Sequence, residues 1–290
     1  LCLLAECLPP ARLSVAHVNH GTRGKASDAD QAFVKAAARG LGLPFAATRL
    51  RKQKGRASEE SLREARYRAL EEMTRRAGAT HLALAHTADD QAETVLLRLA
   101  RGTGLPGLAG IPEKRDLGAL ALVRPLLGIS REDLVAYLRR HRIPFREDRT
   151  NRDVRYARNR VRHRVLPELA RINPRVKEAL VRLSSQAGEA AAFLAVAGEL
   201  AARRLVRKHR GGLRLDAIRF RGLPPALRAE VWRLAHARLA AGRSLDADHL
   251  AALEGLLAKG KASGAVALPG KVGARWAGAS LVLGGMAKAP

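Results

Sequence analysis

The segment His81–Leu99 constrains the fold more than any other part of the chain. His81-Leu82-Ala83-Leu84-Ala85 is an apolar run that reads as a buried strand, and Val95-Leu96-Leu97-Arg98-Leu99 reads as a helix. Between them lies the polar corner His86-Thr87-Ala88-Asp89-Asp90-Gln91-Ala92-Glu93-Thr94. A strand, a polar corner and a helix start, in that order, mark the place where open α/β sheets bind ligands. Asp90 and Glu93 are three apart and share one helical face. Two carboxylates there suit a Mg²⁺ ion carrying a nucleotide, or a substrate ammonium group. They also suit a plain acidic first turn stabilised by the helix dipole. The segment alone leaves both readings open.

The rest of the first half repeats the alternation. Leu13–Val18 and Pro44–Leu50 read as strands. Ser27 is placed to cap a helix with Asp28 and Asp30 in its first turn, running to Leu41 before Gly42. Ser61 and Glu64 form a capping-box pattern for a helix reaching Ala77, with Gly78 after it. Ala119–Val123 reads as a further strand, and Ser130 starts a helix ending near His141. Strands alternating with helices imply a doubly wound, mostly parallel sheet. The Gly-rich stretch 102–110 fits neither phosphate-loop spacing; it reads equally as a phosphate approach or an ordinary connection.

The character changes after Arg152: residues 152–182 hold ten Lys or Arg against three acids. A helical pattern then runs from Pro174 to His209 and breaks at Gly211-Gly212. Further helical patterns occupy 225–241 and 246–259. The chain ends in short apolar runs separated by glycines, read as a small β element. These shifts place a boundary near Ile172, giving an α/β domain over 1–172 and a smaller, mainly helical domain over 173–290.

Charge narrows the function classes. Lys plus Arg number 53 against 27 acids, a formal net charge of +26, which favours a polyanionic partner and nucleic acid first. Aromatics are only 3%, so a broad base-stacking platform is not expected. No run approaches the roughly 18 apolar residues of a membrane span, and no basic amphipathic segment suggests membrane docking. Leu1–Leu8 has no basic leader, and Cys2 and Cys7 are too few for a disulfide framework or zinc site. A reducing, cytoplasmic setting is expected.

Two further groups carry candidate chemistry. His17, Asn19 and His20 end a strand, where they can line a ligand crevice or serve the fold. Glu147, Asp148, Thr150 and Asn151 precede a basic helix in which Arg158 and Arg162 are four apart and share a face. Converging guanidiniums clamp phosphate. Thr150 or Asn151 can cap that helix, and Glu147 and Asp148 can orient its arginines; a solvated basic helix is the alternative.

In order, the blocks are His-Val-Asn-His-Gly-x-Arg (17–23), Arg-x-x-Arg-Tyr (63–67) and His-x-x-Asp-Asp-Gln-Ala-Glu-Thr (86–94). Then follow Arg-Gly-x-Gly (101–104), Arg124-Pro125-Leu126, Glu-Asp-x-Thr-Asn (147–151) and Arg-Asn-Arg-Val-Arg (158–162). Together they resemble the tRNA(Ile)-lysidine synthetase family of the N-type ATP pyrophosphatase (PP-loop) group, specifically to Pro174 and more loosely beyond. The resemblance implies ATP and Mg²⁺, free L-lysine, and a tRNA(Ile) with a CAU anticodon, held by the basic C-terminal domain. It implies that Asp90, Glu93 and Arg162 are catalytic, with Asp90 or Glu93 binding lysine or Mg²⁺ and Asp90 the candidate metal ligand. His17, Asn19, His20, Arg101, Gly102 and Arg158 are expected at the nucleotide. Glu147, Asp148, Thr150, Asn151 and Asn159 are expected on the substrate side. A homodimer is as compatible as a monomer. The family's Ser-Gly-Gly-x-Asp-Ser phosphate loop does not occur in this chain, and Leu1–Leu8 reads as the helix that follows it. The first strand and that loop are therefore expected to be missing, and the chain alone is expected to be weak with ATP. The alternatives are a non-catalytic RNA-binding protein with a degenerate ATPase domain, or a tRNA thiolation enzyme.

Overall fold

The computed structural model describes residues 1–19, 24–50, 59–146, 155–259 and 264–285. The chain divides into two compact units, Leu1–Ser184 and Ser185–Pro290.

The first unit opens with helix α1 (Cys2–Cys7) and a 3₁₀ turn, then alternates β1 (Val15–Asn19), α2 (Lys25–Gly40), β2 (Phe45–Arg49), α3 (Glu59–Arg76), β3 (His81–Ala83) and α4 (Ala88–Ala100). A short α5 (Leu105–Leu108), the hairpin β4 (Lys114–Leu117) and β5 (Leu120–Val123), and α6 (Arg131–Arg140) follow. β1 and β2 pair in parallel, as do β3 and β5, while β4 runs antiparallel on β5. Helix α3 covers both strand groups. Its Leu70, with Tyr67 and Met73, packs on Val18 of β1, Leu82 of β3 and Leu122 of β5. Helix α2 buries Ala38 against Val15 and Leu43 in a separate cluster. β3 and β5 run side by side, so the residues just after them, His86 and Arg124, emerge close together.

Several local expectations shift. Helix α2 starts at Lys25 after Gly24, so Ser27 sits buried within its first turn rather than capping it. Helix α3 starts at Glu59, before Ser61. β4 escaped the sequence reading because Lys-Arg-Asp-Leu has no apolar alternation; it is an edge strand with exposed charges. Helix α7 (Ala157–Arg160) runs through a π-helical turn (Val161–Val165) into α8 (Leu166–Ile172), after which α9 (Val176–Leu205) begins. The unit division falls within α9, not near Ile172. The reason is packing: Val176 and Leu180 join Ala92, Val161 and Leu166 in one cluster, and Gln91 Nε2 donates to Ser184 Oγ at 3.0 Å.

In the second unit, α9 stops at Leu205 rather than His209. Val206–His209 is strand β6, turning at Arg210-Gly211 into β7 (Gly212–Asp216). Both glycines serve that turn: Gly211 has φ 72°, and a Cβ on Gly212 would lie 1.9 Å from the Leu283 carbonyl oxygen. α10 (Ala217–Arg221), α11 (Pro225–Ala237), α12 (Ala247–Lys259) and β8 (Ala265–Leu268), β9 (Val272–Ala277), β10 (Ser280–Gly285) complete the unit. The β element is larger than expected, an antiparallel sheet ordered β6-β7-β10-β9-β8. Its inner face packs Leu213, Leu215, Leu281 and Leu283 against Phe220, Trp232 and Leu253.

Candidate active site

The first turn of α4 sends its three carboxylates in different directions. Thr87 caps the helix in a reciprocal box with Asp90, whose Oδ2 accepts from the Thr87 backbone N–H at 2.8 Å. Asp89 turns toward α6 and α9, where its oxygens accept from the Arg131 N–H at 2.7 Å and from Lys177 Nζ at 2.6 Å. Burial alone would raise the Asp89 pKa, but these donors outweigh it and hold it low. One turn on, Glu93 is 1% exposed.

Glu93 and Asp90 meet the basic helix. Arg158 Nε donates to Glu93 Oε2 at 2.7 Å and its Nη2 to Asp90 Oδ1 at 2.7 Å. Arg162 Nε and Nη2 donate to Glu93 at 2.6 and 3.1 Å. Spacing by four places both arginines over α4, across the junction of α7 with the π-helical turn, a distortion often found at functional sites. The two carboxylates and two guanidiniums thus form a compact, partly buried ionic knot.

A second cluster adjoins it. Arg124 is buried; its Nε donates to His86 Nδ1 at 3.2 Å and its Nη1 to the Pro112 carbonyl at 2.6 Å. Burial pushes the His86 pKa down to about 4. Asp90 opposes the shift, while Arg124, Arg66 and Arg158 add to it. His86 is therefore neutral near pH 7, with Nδ1 an acceptor and the proton on Nε2. On α3, the Arg63 and Arg66 guanidiniums lie 5.7 and 5.8 Å from the Tyr67 ring centroid. Burial raises the Tyr67 pKa, but the adjacent Arg124 and Arg63 bring the net value below that of a free phenol. The Tyr67 hydroxyl is buried against the Arg63 and Arg124 guanidiniums, and Arg66 Nε is buried with no hydrogen-bond partner among the described residues. A buried cationic donor beside several guanidiniums suits an anionic acceptor, and a phosphate group fits that description.

The chain matches the family model described as PP-loop domain over residues 1–169, and the model described as TilS substrate binding domain over 215–281. It is 40% identical over 285 residues to a tRNA(Ile)-lysidine synthase of Methylobacterium nodulans, covering 97% of this chain and 83% of that one. The chain belongs to the tRNA(Ile)-lysidine synthase family. A tRNA(Ile)-lysidine synthase of Geobacter sulfurreducens is 38% identical over 270 residues, covering 90% of this chain and 56% of that relative. A Porphyromonas gingivalis tRNA(Ile)-lysidine synthase is 40% identical over 204 residues, 69% of this chain and 44% of the relative. The chain thus spans about half the length of several of its curated tRNA(Ile)-lysidine synthase relatives. Its α/β unit has the PP-loop ATPase-like fold, with parallel strand pairs, and its C-terminal sheet is antiparallel.

Within this tRNA(Ile)-lysidine synthase fold, the expected residues separate. Asp90, Glu93, Arg158 and Arg162 come together, with Asn159 buried on the same helix. Asn19 is 2% exposed and its Nδ2 is directed at Asp28, Gln31 and the Ser27 carbonyl, tying β1 to the first turn of α2. His17 lies on the same strand, its pKa lowered by burial and partly restored by Asp30. Arg101 and Gly102 follow the opposite end of α4, about 17 Å along the helix from Asp90. The Gly-rich loop is latched to α4 itself: Gln91 Oε1 accepts from the Ile111 N–H at 2.6 Å, and Arg98 donates to the Gly107 and Gly110 carbonyls. His20, Glu147, Asp148, Thr150 and Asn151 lie outside the described residues. His86, Arg66, Tyr67 and Arg124 stood in the sequence blocks without assigned roles; the signal that finds them is position, at strand ends and on the facing turn of α3.

Among the described residues, no group of three or more His, Cys, Asp or Glu is placed to hold a metal ion. Asp90 has Thr87 on one oxygen and Arg158 on the other. This donor set serves arginines and does not fit a Mg²⁺ site.

Proposed function

We propose that the protein ligates lysine to C2 of the first anticodon cytidine of tRNA(Ile) with a CAU anticodon, consuming ATP and forming lysidine. The cytidine C2 carbonyl oxygen attacks the α-phosphate of ATP and pyrophosphate leaves. The ε-amine of free lysine then attacks C2 of the adenylated base, loses a proton, and AMP leaves. The observation that carries this reading is the ionic knot of Asp90, Glu93, Arg158 and Arg162 set beside the guanidiniums of Arg66 and Arg124 around one neutral histidine, His86.

In this reading, Arg66, Arg124 and the Tyr67 hydroxyl take up phosphate charge as the leaving group departs. Glu93, almost wholly buried, holds Arg158 and Arg162 in place. Asp90 differs: its side chain is 21% exposed against 1% for Glu93, so it is the carboxylate that a lysine ammonium can reach. Neutral His86, with its Nδ1 lone pair taken by Arg124, presents its Nε2–H as a hydrogen-bond donor to a phosphate or carbonyl oxygen.

The test uses full-length protein with ATP, Mg²⁺, radiolabelled lysine and unmodified CAU-anticodon tRNA(Ile). Label entering tRNA only when both ATP and this tRNA are present is the expected result. Tight, salt-sensitive tRNA binding without incorporation would instead favour a non-catalytic RNA-binding role.

A further inference from the structure

The second unit carries a cationic surface that the chemistry above does not use. Strand register sets Arg207 opposite Arg214, Arg214 opposite Val282, and Val282 opposite Arg275. Directly opposed residues share a sheet face, so three arginines stand in one row across four strands. The other face sends Leu213, Leu215, Ala274, Leu281 and Leu283 into the core, so the arginine row faces outward. Arg207, Arg214 and Arg275 are exposed, and Val282 is 7% exposed among them. At strand spacings of about 4.8 Å the row extends roughly 14 Å. Arg210 adds positive charge at the turn that follows the edge strand.

The fold does not neutralise this row. Like charges directly opposed across strands are destabilising. Several arginines elsewhere in the unit do meet acids: Arg219 with Asp216, Arg233 with Glu230, Arg238 with Glu199 and Arg228 with Glu254. Among the described residues, Arg207, Lys208, Arg210, Arg214 and Arg275 form no ion pair. Arg214 Nε instead donates to Ser280 Oγ at 2.8 Å, which steadies the middle guanidinium.

We propose that this outward face of the C-terminal sheet docks the RNA phosphate backbone, with Arg207, Arg214 and Arg275 as phosphate contacts. The proposal rests on the tRNA-modifying reading above and locates part of its RNA-binding surface. Arginine forks pair with phosphate oxygens, and the row is long enough to meet several phosphates of one strand. An anionic membrane is the poorer fit, because Val282 is buried and the face offers no large apolar side chain for insertion.

The test compares two triple variants of the full-length protein in tRNA binding from about 50 to about 300 mM KCl. Arg207→Gln/Arg214→Gln/Arg275→Gln is expected to weaken binding at least about tenfold and to flatten the slope of log K against log salt by roughly 2–3. Arg219→Gln/Arg233→Gln/Arg238→Gln removes the same charge from acid-paired positions and is expected to leave the slope near wild type. Arg275→Gln alone, should the triple variant melt early, is expected to reduce the slope by roughly 0.7–0.9. A wild-type slope in the row variants overturns the proposal, as does equal loss in both triples. Loss of anionic-vesicle binding with tRNA binding intact would reassign the face to membranes. Absence of salt-dependent tRNA binding by wild-type protein overturns the tRNA reading itself, and is seen before any variant is made.

Discussion

Replacing Glu93 by Gln tests whether the ionic knot holds the first unit together. The substitution keeps the side-chain volume and removes one charge facing two guanidiniums. Glu93 accepts from Arg158 Nε and from Arg162 Nε and Nη2 while 1% exposed. Removing one partner of a buried ion pair costs about 3–5 kcal/mol, because the remaining charge is left uncompensated. Two features reduce that cost here. The Arg158 and Arg162 side chains are 31% and 22% exposed, and Asp90 still accepts from Arg158. We expect a loss of about 2–3 kcal/mol, or roughly 4–12 °C in the melting temperature of a unit this size. Both tryptophans, Trp232 and Trp276, lie in the second unit, so their fluorescence follows that unit while far-UV circular dichroism follows both. The variant should shift the dichroism transition and spare the fluorescence transition. On an Arg158→Met/Arg162→Met background the same change should cost far less, since the stranded charges are gone. A loss below about 0.5 kcal/mol in the single variant, or an equal shift in the fluorescence transition, would refute this account of the knot.

Three further outcomes follow from the site. Asp90→Asn should raise the KM for lysine more than it weakens tRNA binding; equal loss of both would make Asp90 a structural residue. His86 has a folded pKa of about 4 against an ordinary 6.5, so the unfolded chain binds the extra proton as pH falls through that window. Its stabilising contribution is complete above about pH 6.5 and lost toward pH 4. Discounted for partial exposure, this amounts to about 2 kcal/mol, and His86→Gln should flatten urea midpoints across that range. Gly110→Ala places a Cβ 2.5 Å from Gln91 Oε1 at φ 66°, so it should cost about 1–3 kcal/mol and release the loop, read as faster amide exchange at Ile111.

The local features were legible because their causes are local. Alternating apolar runs and helical patterns located β1, β2, β3 and β5. Ser130 capped α6 as expected, and the spacing of Arg158 and Arg162 put them on one face. The pairing of Asp90 and Glu93 as one unit was equally readable from their separation by three. What those carboxylates hold was not: Arg158 lies 65 positions from Glu93, and only chain folding decides whether a carboxylate meets a cation, a substrate or water. The same applies to Arg124 and His86, brought together because β5 lies beside β3. β4 and β6 were missed because their strand character comes from a paired neighbour, while most of their own side chains are charged or polar and exposed. The sequence by itself determined the α/β order, the chemistry available and its positive charge. The tertiary structure decided which charges neutralise one another and which stay unpaired, because that depends on distances that only the folded chain sets.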